Sequence, residues 1–193
     1  MVNSNANALG ILFPNSYDSL VPELVGERLM ASIPFAGRYR MVDFMLSSMV
    51  NCGIDNVSLI VRKNYHSLMD HLGSGREWDL TRKNGGLNIV PPFAEKTVKV
   101  YNGRVEALSS ILDFLKDQKQ QYVVMADTNV ATNFDFKAMI NEHIKSGADV
   151  SIAYSKEEIP VSLRQATNPH RGLYYTLKVE DGDVKEIYIN PKD

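Results

Sequence analysis

The chain contains four histidines, one cysteine and two pairs of adjacent serines, which are the first candidates for metal binding or nucleophilic chemistry. His66 and His71 are five residues apart, whereas ligands that share a helix face are three or four apart. His143 falls on the apolar stripe of a predicted helix, where an imidazole is typically part of the core. The serine pairs also lie in predicted helices and have no base nearby in sequence. The spacing therefore favours neither a zinc site nor a serine nucleophile.

Three polar or aromatic side chains have a more specific setting. Asp43 precedes an apolar helical stripe and is predicted to cap that helix, while Arg40 can reach across to fix the preceding loop. These roles are architectural, and contact with a ligand is the alternative. Trp78 could stack on a nucleotide base, but a single tryptophan is more typical of a core or an interface.

The elements that must position these residues alternate between strand and helix. Short apolar runs rich in Val, Ile and Tyr predict strands at Ala8–Phe13, Val57–Val61, Tyr122–Ala126, Val150–Tyr154, Leu173–Val179 and Val184–Ile189. Apolar stripes of helical period predict helices at Met45, Met49 and Cys52, at Val105, Leu108, Ile111, Leu112 and Leu115, and at Phe136, Met139, Ile140, His143 and Ile144. This alternation predicts an α/β fold with an open, mostly parallel, Rossmann-like sheet, whose ligands bind beyond the carboxyl ends of the strands.

Capping and turn residues mark the ends of these elements. Asp43 and Asn133 are predicted N-caps, and Gly53 and Gly147 follow the last apolar turn of their helices. The acidic turn 180–183 predicts an antiparallel hairpin near the C-terminus, added at the edge of the sheet. The stretch 155–171 is expected to be an extended surface connection.

Composition excludes several classes of protein. The 193 residues, 44% hydrophobic and 23% charged, are enough for one α/β domain with a substantial core. A net charge of -2 without a basic stripe argues against a nucleic-acid partner. No apolar run reaches the roughly 20 residues that a membrane span requires. Cys52 has no partner for an internal disulfide and the N-terminus does not resemble a secretory signal, so we expect a cytoplasmic protein.

The stretch 33–54 is the most distinctive part of the sequence. It resembles the pattern P-x-x-F-G-G-x-Y-R-I-I-D-F-x-L-S-N, followed by N-S-G-I, of the glucose-1-phosphate adenylyltransferases. The matching residues are Gly37, Tyr39, Arg40, Asp43, Phe44, Leu46 and Ser47. Further matches in the family's order extend from His66 through Trp78-Asp79-Leu80 and Pro91-Pro92 to Tyr122-Val123-Val124, so the resemblance covers nearly the whole chain.

This resemblance implies a reaction as well as a fold. Family members join ATP and glucose 1-phosphate into ADP-glucose and pyrophosphate, by attack of the sugar phosphate on the α-phosphorus. Such a site needs backbone amides close to the phosphates, cations along the triphosphate and carboxylates that hold Mg²⁺. The resemblance also implies that residues 1–193 are the N-terminal part of a nucleotidyltransferase-like domain, which in the family continues into a C-terminal β-helix.

The sequence departs from the family where the phosphates would bind. The family's loop G-G-x-G-x-R-L after the first strand is replaced by Phe13 to Leu20, which has neither a glycine nor an arginine and includes Pro14, a residue without an N–H. Met30 stands where the family has a lysine. The family's G-T-A-D-A becomes a stretch that begins with Gly103 and Arg104, so we expect a rebuilt and degenerate nucleotide-binding position at Phe13, Met30, Gly103 and Arg104.

The family's magnesium ligand is also changed. Its aspartate lies in G-D-H-I-Y after the strand that matches Tyr122 to Met125, and aligning the chain on Asp135-Phe136 puts Asn129 at that aspartate. A neutral amide is a poor ligand for Mg²⁺ compared with a carboxylate. In a shifted register Asp127 would be the surviving ligand. We expect no metal cofactor and no catalytic residue.

Two functions of different class fit these observations. The first is a regulatory subunit that resembles the degenerate partner of the active enzyme in bacterial glycogen synthesis, and that assembles with a catalytic homologue or with itself. The second is a working sugar-phosphate nucleotidyltransferase with an unusual phosphate loop. The losses at Phe13 to Leu20, Met30 and Asn129 favour the first, with a sugar phosphate or nucleotide as a possible ligand.

Overall fold

The computed structural model describes residues 6–18, 21–81, 85–91, 103–158 and 174–189. The strands are β1 (Ala8–Phe13), β2 (Pro34–Phe35), β3 (Tyr39–Arg40), β4 (Asn56–Ile60), β5 (Gly86–Val90), β6 (Tyr122–Asp127), β7 (Tyr175–Glu180) and β8 (Asp183–Ile189). The α-helices are α1 (Met41–Asn51), α2 (His66–Leu72), α3 (Arg104–Ser110), α4 (Leu112–Lys116) and α5 (Phe136–Ser146), and short 3₁₀ helices cover Met30–Ser32 and Arg76–Trp78.

Four strands form the main sheet, in the order β5-β4-β1-β6, and every neighbouring pair is parallel. The chain moves from β1 outward to β4 and β5, and then returns to place β6 on the other side of β1. The direction of winding therefore reverses between β1 and β6. In open α/β sheets the crevice at the carboxyl ends of such a strand pair is the usual place for a ligand.

The sheet is covered on both faces, which explains why all six residues of β1 are buried. One core contains Leu12 of β1 together with residues of α1, α2 and α5. The other contains Leu9, Ile11 and Phe13 of β1, packed against α3 and α4. Alternate residues of one strand thus enter two separate cores, as the period of a strand requires.

Gly10 lets α1 pack closely on β1. A Cβ atom at this position would lie 2.7 Å from the sulfur of Met49, and the Met49 side chain is fully buried. Any larger residue would push α1 away from the sheet.

Two small antiparallel ribbons complete the described structure. β2 pairs with β3 through a turn in which Ala36 and Gly37 have φ values of +49° and +86°, a conformation that glycine adopts without strain. β7 pairs with β8 in a sheet of its own. The predicted antiparallel hairpin is confirmed, but the prediction that it extends the edge of the main sheet is wrong for the described residues.

The predicted fold class is confirmed, but α2, β2 and β3 were not predicted, and three further segments differ from the prediction. Residues 150–154 form no strand, because no described strand lies beside them to complete the hydrogen bonding, and Val150 is 72% exposed. β5 was not predicted, since Gly86 and Asn88 are uncommon in strands. The single stripe predicted from Val105 to Leu115 is divided between α3 and α4, and Val105 itself is 79% exposed.

Helix starts were predicted less well than helix ends. α1 begins at Met41, two residues before Asp43, with Arg40 at its N-cap, and the N-cap of α5 is Asp135 rather than Asn133. Gly53 and Gly147 follow their helices with positive φ values, as predicted. The errors arose because several capping residues stand close together in sequence, and only the backbone path shows which one begins the helix. The predicted strand residue Leu173 and most of the stretch 155–171 lie outside the described residues.

Candidate functional site

The stretch that carries the family motif places its polar side chains inside the fold. The backbone N–H of Arg40 donates to Asp43 Oδ2 at 3.0 Å, so Asp43 closes the first turn of α1 from inside the helix. The other carboxylate oxygen, Oδ1, lies 2.6 Å from His71 Nε2 on α2. Asp43 is 8% exposed; one of its oxygens caps the first turn of α1 and the other holds α1 against α2.

Two further contacts tie the same helices together. Arg40 donates through Nη1 to the backbone oxygen of Ser67 at 2.5 Å and to its hydroxyl at 2.7 Å. Trp78 donates through Nε1 to Ser47 Oγ at 3.1 Å, and its ring meets the His71 ring edge-on. We call the side chains of Arg40, Asp43, Ser47, Ser67, His71 and Trp78 the helix clamp.

A second polar group lies at the carboxyl ends of β1 and β6, the switch point of the sheet. Phe13 and Asp127 are register partners at the ends of these strands. Arg104, the first residue of α3, donates through Nη2 to Asp127 Oδ2 at 2.5 Å, and its guanidinium lies 5.7 Å from the centre of the Phe13 ring. The Tyr17 side chain lies close to Arg104 and to Asp127. We call Phe13, Tyr17, Arg104 and Asp127 the edge cluster.

The loop after β1 is held to the fold by its own side chains. Asn15 is 8% exposed; its Oδ1 accepts from the backbone N–H of Arg62 at 3.0 Å and its Nδ2 donates to Asp18 Oδ2 at 2.8 Å. Asp18 Oδ1 accepts from the backbone N–H of Met30 at 2.7 Å. In a phosphate-binding loop the backbone N–H groups point at the ligand. Here side-chain oxygens of the loop bind the N–H groups of neighbouring segments instead.

Burial and charge change the ionisation of three of these groups. Burial raises the pKa of Asp18, against the opposing effect of its hydrogen bonds with Asn15 and Met30. Burial and the nearby Asp127 carboxylate raise the pKa of Tyr17, partly offset by Arg104. Burial alone would lower the pKa of Arg104, but attraction to Asp127 and their hydrogen bond raise it. Tyr17 is therefore neutral and Arg104 charged at neutral pH.

The predicted site residues are only partly brought together. Phe13, Arg104 and Asp127 meet in the edge cluster, and Gly103 immediately precedes it as the N-cap of α3. Met30 contributes its backbone N–H to the loop contact described above. Asn129 is half-buried, two residues beyond the end of β6.

Sequence reasoning missed the parts played by Asn15, Tyr17 and Asp18. The signal available in the sequence was chemical, since Asn and Asp in a short loop commonly bond to backbone groups nearby. That signal does not reveal which backbone group is bound. The contact between Asp18 and Met30 depends on how the chain folds back after the loop.

The residues at the position that holds Mg²⁺ in the resembling family do not fit that ion as they are arranged here. The Asp127 carboxylate is paired with Arg104, and Asn129 offers a neutral amide. In the part of the chain that the structure describes, no three or more His, Cys, Asp or Glu residues cluster in a way that could hold a metal.

Comparison with known proteins agrees with the fold. The family model for nucleotidyl transferases matches residues 27–162, which is most of the chain. The chain therefore belongs to the nucleotidyl transferase family. It also resembles the structure of a protein described as a glucose-1-phosphate thymidylyltransferase from Bacillus anthracis, in complex with sucrose, with a TM-score of 0.65 and 18% identity over 96% of this chain and 65% of that one. At this level of identity the likeness concerns the fold alone.

Relatives found by sequence share a higher identity with this chain. The glycogen biosynthesis protein GlgD of Geobacillus stearothermophilus is 41% identical over 152 residues, and GlgD of Bacillus subtilis strain 168 is 38% identical over 148 residues; each match covers 76% of this chain and 43% of the relative. A glucose-1-phosphate adenylyltransferase of Bacillus cytotoxicus is 33% identical over 148 residues, covering 76% of this chain and 39% of the relative. The chain thus spans less than half the length of these relatives. No helix among the described residues is long and apolar enough to span a membrane.

Proposed function

We propose that this chain is part of a regulatory, non-catalytic subunit of glucose-1-phosphate adenylyltransferase in glycogen biosynthesis. The catalytic homologue would join ATP and glucose 1-phosphate, and this subunit would alter its activity by assembling with it in the cytoplasm. Self-association is the other form of assembly that the proposal allows. The names of the GlgD relatives and of the adenylyltransferase relative support the pathway.

The loop after β1 carries the non-catalytic part of the proposal. Nucleotidyl transfer depends on groups that surround the triphosphate and neutralise its charge in the transition state. The Asn15 and Asp18 side chains already bind the N–H groups of Arg62 and Met30, so the loop is fixed against the fold by its own oxygens. Pro14 has no N–H to offer. A triphosphate placed there would meet the Asp18 carboxylate rather than a ring of donors.

The edge cluster adds to the same argument. Asp127 is the carboxylate nearest to the family's metal position, and its charge is matched by Arg104 at 2.5 Å. We propose that the subunit works without Mg²⁺ and that any sugar phosphate or nucleotide it binds is held without turnover.

The first test is turnover by the protein alone. Given ATP, Mg²⁺ and glucose 1-phosphate, the purified protein should release no pyrophosphate above the blank. A catalytic homologue assayed in parallel provides the positive control. Robust release of pyrophosphate would instead support the alternative, an active nucleotidyltransferase with an unusual phosphate loop.

The second test is assembly. The chain, with any further sequence from its reading frame, should form a hetero-oligomer with the catalytic homologue from the same genome. The mixture should change the partner's apparent substrate affinity or maximal rate about fivefold or more, the usual lower range of coupling between sites. Separate elution at micromolar concentrations, with unchanged kinetics of the partner, would rule out the regulatory role.

A further inference from the structure

The edge cluster contains a positive charge at the place where a nucleotidyl transferase would need a bound cation. Arg104 starts α3 at the carboxyl edge of the sheet, and the resemblance puts it at a threonine of the family's G-T-A-D-A stretch. Its guanidinium contacts the ring of Phe13 and the carboxylate of Asp127. The positive group is therefore supplied by the chain itself.

The Asp127 carboxylate is only half used by this contact. Oδ2 accepts from Arg104, while Oδ1 is buried and has no hydrogen-bond partner among the described residues. A buried carboxylate oxygen without a partner is costly unless a cation lies nearby. The Arg104 guanidinium is the cation that lies beside Asp127 at this position.

We infer that Arg104 is an internal cation that takes the place of a divalent metal on Asp127. A guanidinium and a hydrated metal ion cannot both occupy the open side of one carboxylate, so the ion pair excludes the metal by direct competition. The Phe13 ring and the Tyr17 side chain lie beside the guanidinium, which is therefore packed against the carboxylate on the protein side. This inference rests on the proposed function and deepens it, since it names the group that keeps metal-bound nucleotide away from Asp127.

Mn²⁺ is a suitable probe, because it prefers the same oxygen ligands as Mg²⁺ and can be followed by electron paramagnetic resonance or water proton relaxation. The wild-type protein should bind Mn²⁺ no better than an Asp127→Asn variant. Arg104→Gln should bind at least tenfold more tightly than the wild type, because it frees Asp127 Oδ2 for the metal ion. Arg104→Gln combined with Asp127→Asn should lose the gain.

Two controls separate this effect from trivial causes. Arg76→Gln makes the same chemical change at an exposed arginine outside the edge cluster, and should leave Mn²⁺ binding unchanged. Arg104→Met keeps an aliphatic stem beside Phe13 and removes only the charged group, so it replaces Arg104→Gln if that variant fails to fold.

The experiment uses no nucleotide, sugar phosphate or partner subunit, so its result is independent of the turnover and assembly tests. Tight Mn²⁺ binding by the wild type would overturn the inference while leaving the assembly proposal to its own test. Unchanged, weak binding in folded Arg104→Gln and Arg104→Met would also overturn it, because the metal would then be excluded by something other than Arg104.

Discussion

The helix clamp and the edge cluster are both networks of polar side chains, but they serve different ends. In the helix clamp, Asp43 is 8% exposed; one of its oxygens caps α1 and the other contacts His71 on α2. In the edge cluster, the Arg104 side chain is 46% exposed and that of Asp127 20% exposed. Their ion pair lies at the carboxyl ends of β1 and β6, where ligands of open α/β sheets usually bind. The residues of the helix clamp match the family pattern, whereas the residues of the edge cluster stand where the sequence departs from that pattern. A fold can therefore keep the polar contacts that support it after the contacts that bind a ligand have changed.

The largest loss of stability is expected in the helix clamp, when Asp43 is changed to Ala. The substitution leaves the Arg40 N–H and the His71 ring without their acceptor in a buried setting. We expect the free energy of unfolding to fall by about 3 kcal/mol. Urea denaturation followed by circular dichroism measures it. Asp70→Ala, at an exposed position on α2, is the matched control and should cost less than about 0.5 kcal/mol. Equal losses in the two variants would contradict the clamp.

A smaller loss is expected for Trp78→Phe. The change removes the hydrogen bond to Ser47 and part of the packed ring, and should cost about 1 to 2 kcal/mol. A double-mutant cycle with Ser47→Ala isolates the hydrogen bond from the packing. Strict additivity of the two substitutions would show that Trp78 acts through packing alone.

The contribution of Asp18 to the stability of the fold should depend on pH. Its pKa in the folded state is raised above the ordinary value of 3.8 by burial, so folding favours the protonated carboxyl. Its contribution to stability is then fully present below pH 3.8 and is lost as pH rises through the raised pKa. Asn cannot ionise, so wild type should lose stability relative to Asp18→Asn as pH rises from 3.8 through the raised pKa. A difference in the free energy of unfolding between wild type and Asp18→Asn that stays constant at all pH values, measured by urea denaturation, would show that burial does not raise the pKa of Asp18.

Arg104→Gln should have the smallest effect on stability. The ion pair with Asp127 is partly exposed, and pairs of this kind contribute little after solvent screening. We expect a loss of about 0.5 kcal/mol or less by urea denaturation. A loss as large as that of Asp43→Ala would mean that the edge cluster supports the fold, and the contrast between the two regions would fail.

The fold was largely predictable because its signals are local. β1 was predicted to the residue, since its apolar run is buried on both faces and is followed directly by Pro14. The segment 150–154 has the same kind of run but lacks a strand partner among the described residues, which local sequence cannot reveal. β5 was not predicted because Gly86 and Asn88 are uncommon in strands. It forms a strand because it has a neighbouring strand, β4, with which it pairs.

For the candidate site, the sequence predicted some of the residues but not the contacts between them. Phe13, Arg104 and Asp127 were named from separate stretches, as departures from a resembling family. Their contact depends on β6 lying beside β1, which is a property of the sheet order rather than of any one segment. Tyr17 joins them through the fold of a loop that sequence reasoning treated only as a loss.

The affinity for ATP tests the central claim, that the family scaffold is kept while its phosphate site is lost. Titration calorimetry of the wild-type protein with ATP and Mg²⁺ should give a dissociation constant on the order of millimolar, or no measurable heat, because few directional contacts remain to offset the entropy of association. Removing Mg²⁺ should make no difference. A magnesium-dependent dissociation constant in the micromolar range would contradict the account, since it would require the loop after β1 and Asp127 to bind the metal-bound triphosphate after all.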